Sequence, residues 1–215
     1  PLTRLRHHLE AVHSESSNIA DYRQAVEEAI AESETILATF SALLRIGQIE
    51  SGTAGIPLES IDLSALLTEL AELYGPAAED SGHRLETHIT PSVTVSGDQA
   101  MLSQAFVNLI ENAMTHSPSG SAIRISLVRS PDQVVAAVAD SGPGIPAEER
   151  ERVFRRFYRL ERSRSTPGSG LGLSLVGAIA RYHGARIHLA DNNPGLRVEI
   201  IFDKTRVAPE DIPSS

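Results

Sequence analysis

Seven apolar residues, Ile19, Tyr22, Val26, Ile30, Leu37, Phe40 and Leu44, recur at intervals of three, four or seven, which places them on one side of a long helix. The pattern continues to about Ile49. A shorter series, Leu2, Leu5, Leu9 and Val12, precedes it across the polar stretch Ser14 to Asn18, so the chain opens on a predicted helical hairpin. One hairpin with an apolar stripe on each helix cannot bury both stripes. Two copies are expected to pair into a four-helix bundle, the other option being that the hairpin folds onto the rest of its own chain.

Ser51-Gly52-Thr53-Ala54-Gly55-Ile56-Pro57 breaks this periodicity with glycine and proline and marks a boundary. The expected division is a dimerisation hairpin over 1–52, a linker over 53–60, a second domain over 61–206 and a tail over 207–215. Within the second domain, Asp62-Leu63-Ser64 caps a helix to about Glu79 with Leu66, Leu67, Leu70 and Leu73 on its apolar face. Further helices are predicted from Gln99 to Met114, Pro146 to Phe154 and Leu171 to His183. Strands are predicted over Arg84–Ile89, Val93–Val95, Ala122–Val128, Val134–Ala139, Arg186–Ala190 and Leu196–Phe202. Helices and strands mix without regular alternation, so the domain reads as α+β with a largely antiparallel sheet.

Composition narrows the function. A formal net charge of −9 over 215 residues argues against wholesale nucleic-acid binding, which needs a surplus of Lys and Arg on one face. Any phosphate site must be local. The absence of Cys excludes disulfides and thiolate metal sites. No apolar run approaches the ~20 residues that span a bilayer. Pro1 opens the chain inside a predicted helix, so the sequence reads as a fragment.

Three separated segments carry chemistry. In Asn108-Leu109-Ile110-Glu111-Asn112-Ala113 the two asparagines are four apart, so both amides leave one face of a helix while Leu109, Ile110 and Ala113 turn to the core. Paired carbonyl oxygens suit Mg²⁺ bridging to nucleotide phosphates, although such asparagines more often cap or solvate a helix. Asp140-Ser141-Gly142-Pro143-Gly144-Ile145 follows an apolar strand, and the Asp140 carboxylate can accept a hydrogen bond from an adenine amino group. In Gly168-Ser169-Gly170-Leu171-Gly172-Leu173 a glycine-rich loop runs into a helix and offers N–H groups to phosphates. A dinucleotide fold fails here because Arg-rich sequence stands where the preceding strand should be.

In order and spacing these segments closely resemble the nucleotide-binding boxes of the histidine kinase catalytic domain, within the wider family of gyrase, the Hsp90 chaperones and the MutL repair proteins. Asn108–Ser117 is similar to the asparagine box, Asp140–Ile145 to the first glycine box, Phe154–Arg159 to the phenylalanine box and Gly168–Leu173 to the second glycine box. The resemblance implies an α/β sandwich that uses ATP and Mg²⁺. Asn108, Asn112 and Arg159 would be catalytic, with Asn112 and Asn108 at the metal. His116, Asp140, Gly142, Gly144, Gly168, Ser169, Gly170, Leu171 and Gly172 would join those three in binding the nucleotide.

The gyrase and chaperone branches carry a Glu where this chain has Asn108, so the resemblance favours transfer to a protein acceptor over hydrolysis. It further implies a homodimer, a response regulator as partner, and the cytoplasmic portion of an inner-membrane sensor. Pro1-Leu2-Thr3 resembles the end of the phosphoacceptor box, which puts the accepting His five residues before Pro1. His7, His8 and His13 do not match that box and read as solvated, and His83, His88, His183 and His188 as structural or exposed. Thr115 and His116 stand where the family often has a Lys and an aromatic residue. Loss of that Lys leaves open a degenerate nucleotide-binding scaffold without kinase activity. Arg150 to Arg164 carries seven arginines, of which Arg159 is the family-matched phosphate contact and most others read as a solvated basic helix. The polar stretch from Leu160 to Ser169 is expected to be a mobile lid.

Overall fold

A computed structural model of the chain describes residues 19–52, 57–161 and 168–203. The expected first helix over Leu2–Val12, its turn and the tail lie outside the described residues. The second helix of the predicted hairpin is a continuous α1 (Ile19–Glu50). Its apolar stripe faces solvent in the single chain, with Leu37, Phe40 and Leu44 each more than 60% exposed. Among the described residues, the contacts of α1 with the core come from its end. Ile46 is 1% exposed and joins the core, with Ala42 and Ile49 packed beside it.

Beyond Leu58 the elements run β1 (Glu59–Asp62), α2 (Leu63–Asp80), β2 (Arg84–Ile89), β3 (Thr94–Gly97), α3 (Gln99–His116), β4 (Ala122–Arg129) and β5 (Gln133–Ala139). After two short 3-10 turns come α4 (Gly172–Tyr182), β6 (Arg186–Asp191) and β7 (Leu196–Asp203). Capping starts the helices where the sequence signals them. Asp62 accepts from the Ala65 amide at 2.9 Å and Asp98 from the Met101 amide at 2.8 Å, each satisfying a donor that the first helical turn leaves unpaired.

Five strands form one sheet in the order β2-β4-β5-β7-β6, in which β2 runs parallel to β4 and every other pair is antiparallel. Alternation decides which face is covered. Along β7 the residues Leu196, Val198, Ile200 and Phe202 are buried while their neighbours are not, and Ile123, Ile125 and Leu127 of β4 point the same way. Helices α2, α3 and α4 cover that face with Leu66, Leu67, Phe106, Leu109, Ile110, Val176 and Ile179, giving the expected α/β sandwich. Leu73, expected on the core side of α2, is 70% exposed instead.

Two local expectations change. Glu59–Asp62 is a strand paired antiparallel with β3, with Ile61 opposite Val95, although half of it was expected in the linker. Only Ile61 of the four is buried, so alternation has nothing to signal. The helix expected over Pro146–Phe154 is instead a pair of 3-10 turns, Ala147–Glu149 and Arg152–Phe154. Val153 is the only buried residue in either turn, too little apolar surface to stabilise a longer helix.

The Arg-rich stretch is correspondingly not a solvated helix. Arg150 donates to the carbonyls of Ile145 and Leu189 at 3.2 and 3.3 Å and pairs with Asp191, tying the first glycine segment to β6. Arg152 pairs with Glu149 and lies 5.1 Å above the Tyr158 ring, and Arg156 pairs with Glu50 at the end of α1. Arg162 and Arg164 lie outside the described residues.

Candidate functional site

A cavity of about 720 Å³ opens between α1, α3, α4 and the two glycine segments, a size suited to a nucleotide-scale ligand. Helix α3 contributes Gln104, Asn108, Glu111, Asn112, Thr115 and His116 to its wall. Leu109, Ile110 and Ala113 are buried, Leu109 and Ala113 also reaching the cavity wall, so the four-residue spacing puts both asparagines on the cavity side of α3. A Cβ placed on Gly172 would lie 3.2 Å from Asn108 Oδ1 and 3.4 Å from Asn112 Nδ2. The start of α4 therefore sits against both amides. Asn108 Nδ2 donates to the Gln104 carbonyl at 2.8 Å, which leaves its oxygen oriented away from its own helix.

The far end of the cavity is built around Asp140, at the end of β5 and only 8% exposed. Its Oδ1 accepts from the amides of Gly142 at 2.7 Å and Leu196 at 3.2 Å. Burial raises its pKa above the ordinary aspartate range, while those two amides and the neighbouring His116 oppose the rise. Gly144 lies on the wall, whereas Gly142 lies behind Asp140 and serves it through its amide.

The second glycine segment lines the cavity with Gly168, Ser169, Gly170, Leu171 and Gly172. Gly170 has a φ of +72°, and a Cβ there would meet the Phe157 carbonyl carbon at 3.0 Å. Phenylalanine and glycine boxes are thus held face to face. The Phe157 amide donates to the Gly170 carbonyl at 3.0 Å, and Arg159 Nη1 donates to the Gly168 carbonyl at 2.8 Å. Arg159 lines the cavity from this position. Of the expected lid, 162–167 lies outside the described residues.

Tyr74 of α2 donates to Glu111 Oε1 at 3.0 Å, and burial together with the Glu111 charge pushes its hydroxyl up to about 12. Among the described residues no cluster of three or more His, Asp or Glu could cage a metal alone. A hard cation held here would need phosphate oxygens to complete the set offered by Asn108 and Asn112.

Sequence reasoning missed two parts of the site. Asn192, Gly195 and Leu196, of which the strand prediction covers only Leu196, buttress Asp140: Asn192 Nδ2 donates to its carbonyl at 2.7 Å. The signal available was Gly195 directly before an apolar strand. Ala38, Thr39, Ser41, Ala42 and Arg45 of α1 line the cavity too, and nothing local to that helix announces it. Among the histidines expected to be structural or exposed, His183 is fully buried and bonded at both ring nitrogens, to the Asp98 amide and the Ile179 carbonyl. His83 is buried beside Ser117, while His188 is exposed and pairs with Glu199.

The chain is similar to known proteins in both sequence and fold. Residues 97–206 match the family described as histidine kinase-, DNA gyrase B- and HSP90-like ATPase. The sensor protein IrlS of Burkholderia pseudomallei is 32% identical over 199 residues, covering 92% of this chain and 42% of its own length. The chain spans less than half the length of the curated relatives it matches. A solved structure of the mycobacterial sensor histidine kinase MprB is 32% identical, with a TM-score of 0.59 over 68% of this chain and 97% of that one. The fold is also shared with the histidine kinase ThkA, solved in complex with the response regulator protein TrrA: TM-score 0.77, 19% identity, 95% of this chain and 57% of that one.

Proposed function

This chain belongs to the histidine kinase-, DNA gyrase B- and HSP90-like ATPases as a catalytic domain of the bacterial sensor histidine kinase type, and on that premise we propose that it binds Mg-ATP and donates the γ-phosphoryl group to a protein histidine. The supporting observation is the convergence of Asn108, Asn112, Asp140 and the Gly168–Gly172 loop on one cavity. Asp140 would accept from the adenine amino group. Backbone N–H groups at the start of α4 would meet the phosphates, with Arg159 adding a guanidinium.

Asn108 and Asn112 would hold a Mg²⁺ ion, because their oxygens are hard donors and among the described residues no carboxylate cage competes for it. The ion would neutralise charge on the transferred group. In the step itself an imidazole nitrogen forms a bond to the γ-phosphorus as the bond to the β,γ-bridging oxygen breaks, and ADP leaves. Such a loose transition state needs alignment and charge neutralisation more than covalent help. Asn108 supplies no base for water, which favours transfer over hydrolysis.

The accepting histidine belongs, on this reading, to the phosphoacceptor box whose end Pro1-Leu2-Thr3 resembles, and a response regulator aspartate receives the group next. Residues 1–52 would pair with a second copy through the exposed stripe of α1, 53–60 would link, 61–206 would bind ATP and 207–215 would be a tail. Among the described residues no helix is long and apolar enough to cross a membrane. The domain would sit on the cytoplasmic side of an inner-membrane sensor.

A chain extended upstream through that box, incubated with γ-labelled Mg-ATP, should acquire an acid-labile, base-stable label that is lost when the box histidine becomes Gln. Label that maps instead to His7, His8 or His13 would overturn the placement of the acceptor. ATP binding with no label on the extended chain would favour the degenerate scaffold.

A further inference from the structure

The cavity has a wall that the ATP-binding unit does not itself provide. Ala38, Ser41, Ala42 and Arg45 are spaced three, one and three apart, so they form a single stripe of α1, and all four line the cavity. Three are small and leave room beside Asn108 and the Gly168–Gly172 loop. The fourth is a cation. Ile46, the next residue, is buried in the core, which fixes α1 against α4 and holds Arg45 in place.

Arg45 is half-buried, and it has no hydrogen bond or ion pair with any described residue. Partial burial of a guanidinium without an anion carries a desolvation cost that an arriving anion would offset. Among the described residues that line the cavity, the other guanidinium is Arg159. The chain's one Lys is Lys204, Thr115 stands where the resemblance leads one to expect another, and Arg159 already donates to the Gly168 carbonyl. A guanidinium also suits phosphate through bidentate hydrogen bonding.

We propose that Arg45 is a phosphate-binding residue, so that a bound nucleoside polyphosphate bridges the glycine loop of the ATP-binding unit to helix α1. This rests on the nucleotide reading of the cavity and deepens it. The helix would then be part of the nucleotide site, and the polyphosphate would add to the contacts of Ile46 in holding α1 down.

Calorimetric titration of the chain and its Arg45→Gln and Arg45→Lys variants with Mg-ATP, alongside ligand-observed NMR titration with adenosine, tests this. Arg45→Gln should weaken ATP by roughly tenfold, the loss of one charge-assisted hydrogen bond, and leave adenosine affinity unchanged. Arg45→Lys should keep part of the ATP affinity. Unchanged ATP affinity in Arg45→Gln would overturn the assignment, as would an equal loss for ATP and adenosine, which would mean that the substitution disturbs the cavity and not the phosphates. Failure of the unsubstituted chain to bind ATP would instead remove the nucleotide reading beneath it.

Discussion

Asp140 and Leu196 are bonded to each other twice: the Asp140 amide donates to the Leu196 carbonyl at 2.8 Å, and the Leu196 amide donates back to Asp140 Oδ1 at 3.2 Å. The carboxylate is therefore set by the start of β7 as much as by its own strand. With the Gly142 amide also on Oδ1, the side chain enters the cavity in one orientation, already aimed before any ligand arrives.

Asp140→Asn should weaken ATP binding by roughly ten- to a hundredfold, since an amide replaces a charged acceptor and brings an N–H toward the adenine amino group. The unsubstituted site should also lose affinity on acidification. Burial raises the Asp140 pKa, so the folded protein protonates it at a pH where an ordinary aspartate is still ionised. The sign for stability is the reverse. Protonation relieves the burial cost, so this group favours folding more as pH falls through its raised pKa. Calorimetric titrations at successive pH values should give a falling affinity for the native chain and a flat response over that window for Asp140→Asn.

Gly195→Ala should be severe although Gly195 touches no predicted ligand. A Cβ there would lie 1.9 Å from the Asp140 carbonyl oxygen, and φ is +119°. The cost should be roughly 2–4 kcal/mol in denaturant unfolding, with ATP affinity reduced because Asp140 must shift. Stability equal to the native chain would mean that this turn does not hold the carboxylate.

His183→Ala should destabilise the fold by about 2–4 kcal/mol, because it opens a cavity and strips the Asp98 amide of a buried acceptor. Asp98 also caps α3, so the loss should slow no chemistry but lower the midpoint of thermal unfolding. A midpoint within a degree or two of the native value would contradict the role of this ring as a buried strut.

Leu37→Asp or Phe40→Asp should leave the single chain folded, since both side chains are mostly exposed there. In a paired bundle either would bury an unpaired carboxylate at a cost of several kcal/mol. Light scattering should report a dimer for the native chain and a monomer for each variant. A native chain that stays monomeric at high concentration would remove the proposed pairing.

The local half of this protein was legible without coordinates. Spacing along α1 and α3 announces helices and says which side carries apolar groups, because one turn of helix fixes which residues share a face. Asp62 marks a helix start by the same short-range chemistry, and the glycine segments announce close backbone approach. Glu59–Asp62 and Pro146–Phe154 were misread because four residues with one buried side chain, and nine with one, carry too little pattern to decide their own conformation.

What the sequence alone determined, then, is the set of parts: a long amphipathic helix, an α+β domain, two asparagines on one helical face, an aspartate at a strand end and a glycine loop entering a helix. Tertiary structure decided how they meet. The turn that buttresses Asp140 comes from residues 52 and 56 positions away, and Arg45 reaches the cavity only because Ile46 is buried against the domain. Spacing reports on neighbours within a turn or a strand, where the backbone sets geometry. Which distant segments touch depends on the summed burial and hydrogen bonding of the whole core, and no single stretch of residues contains that sum.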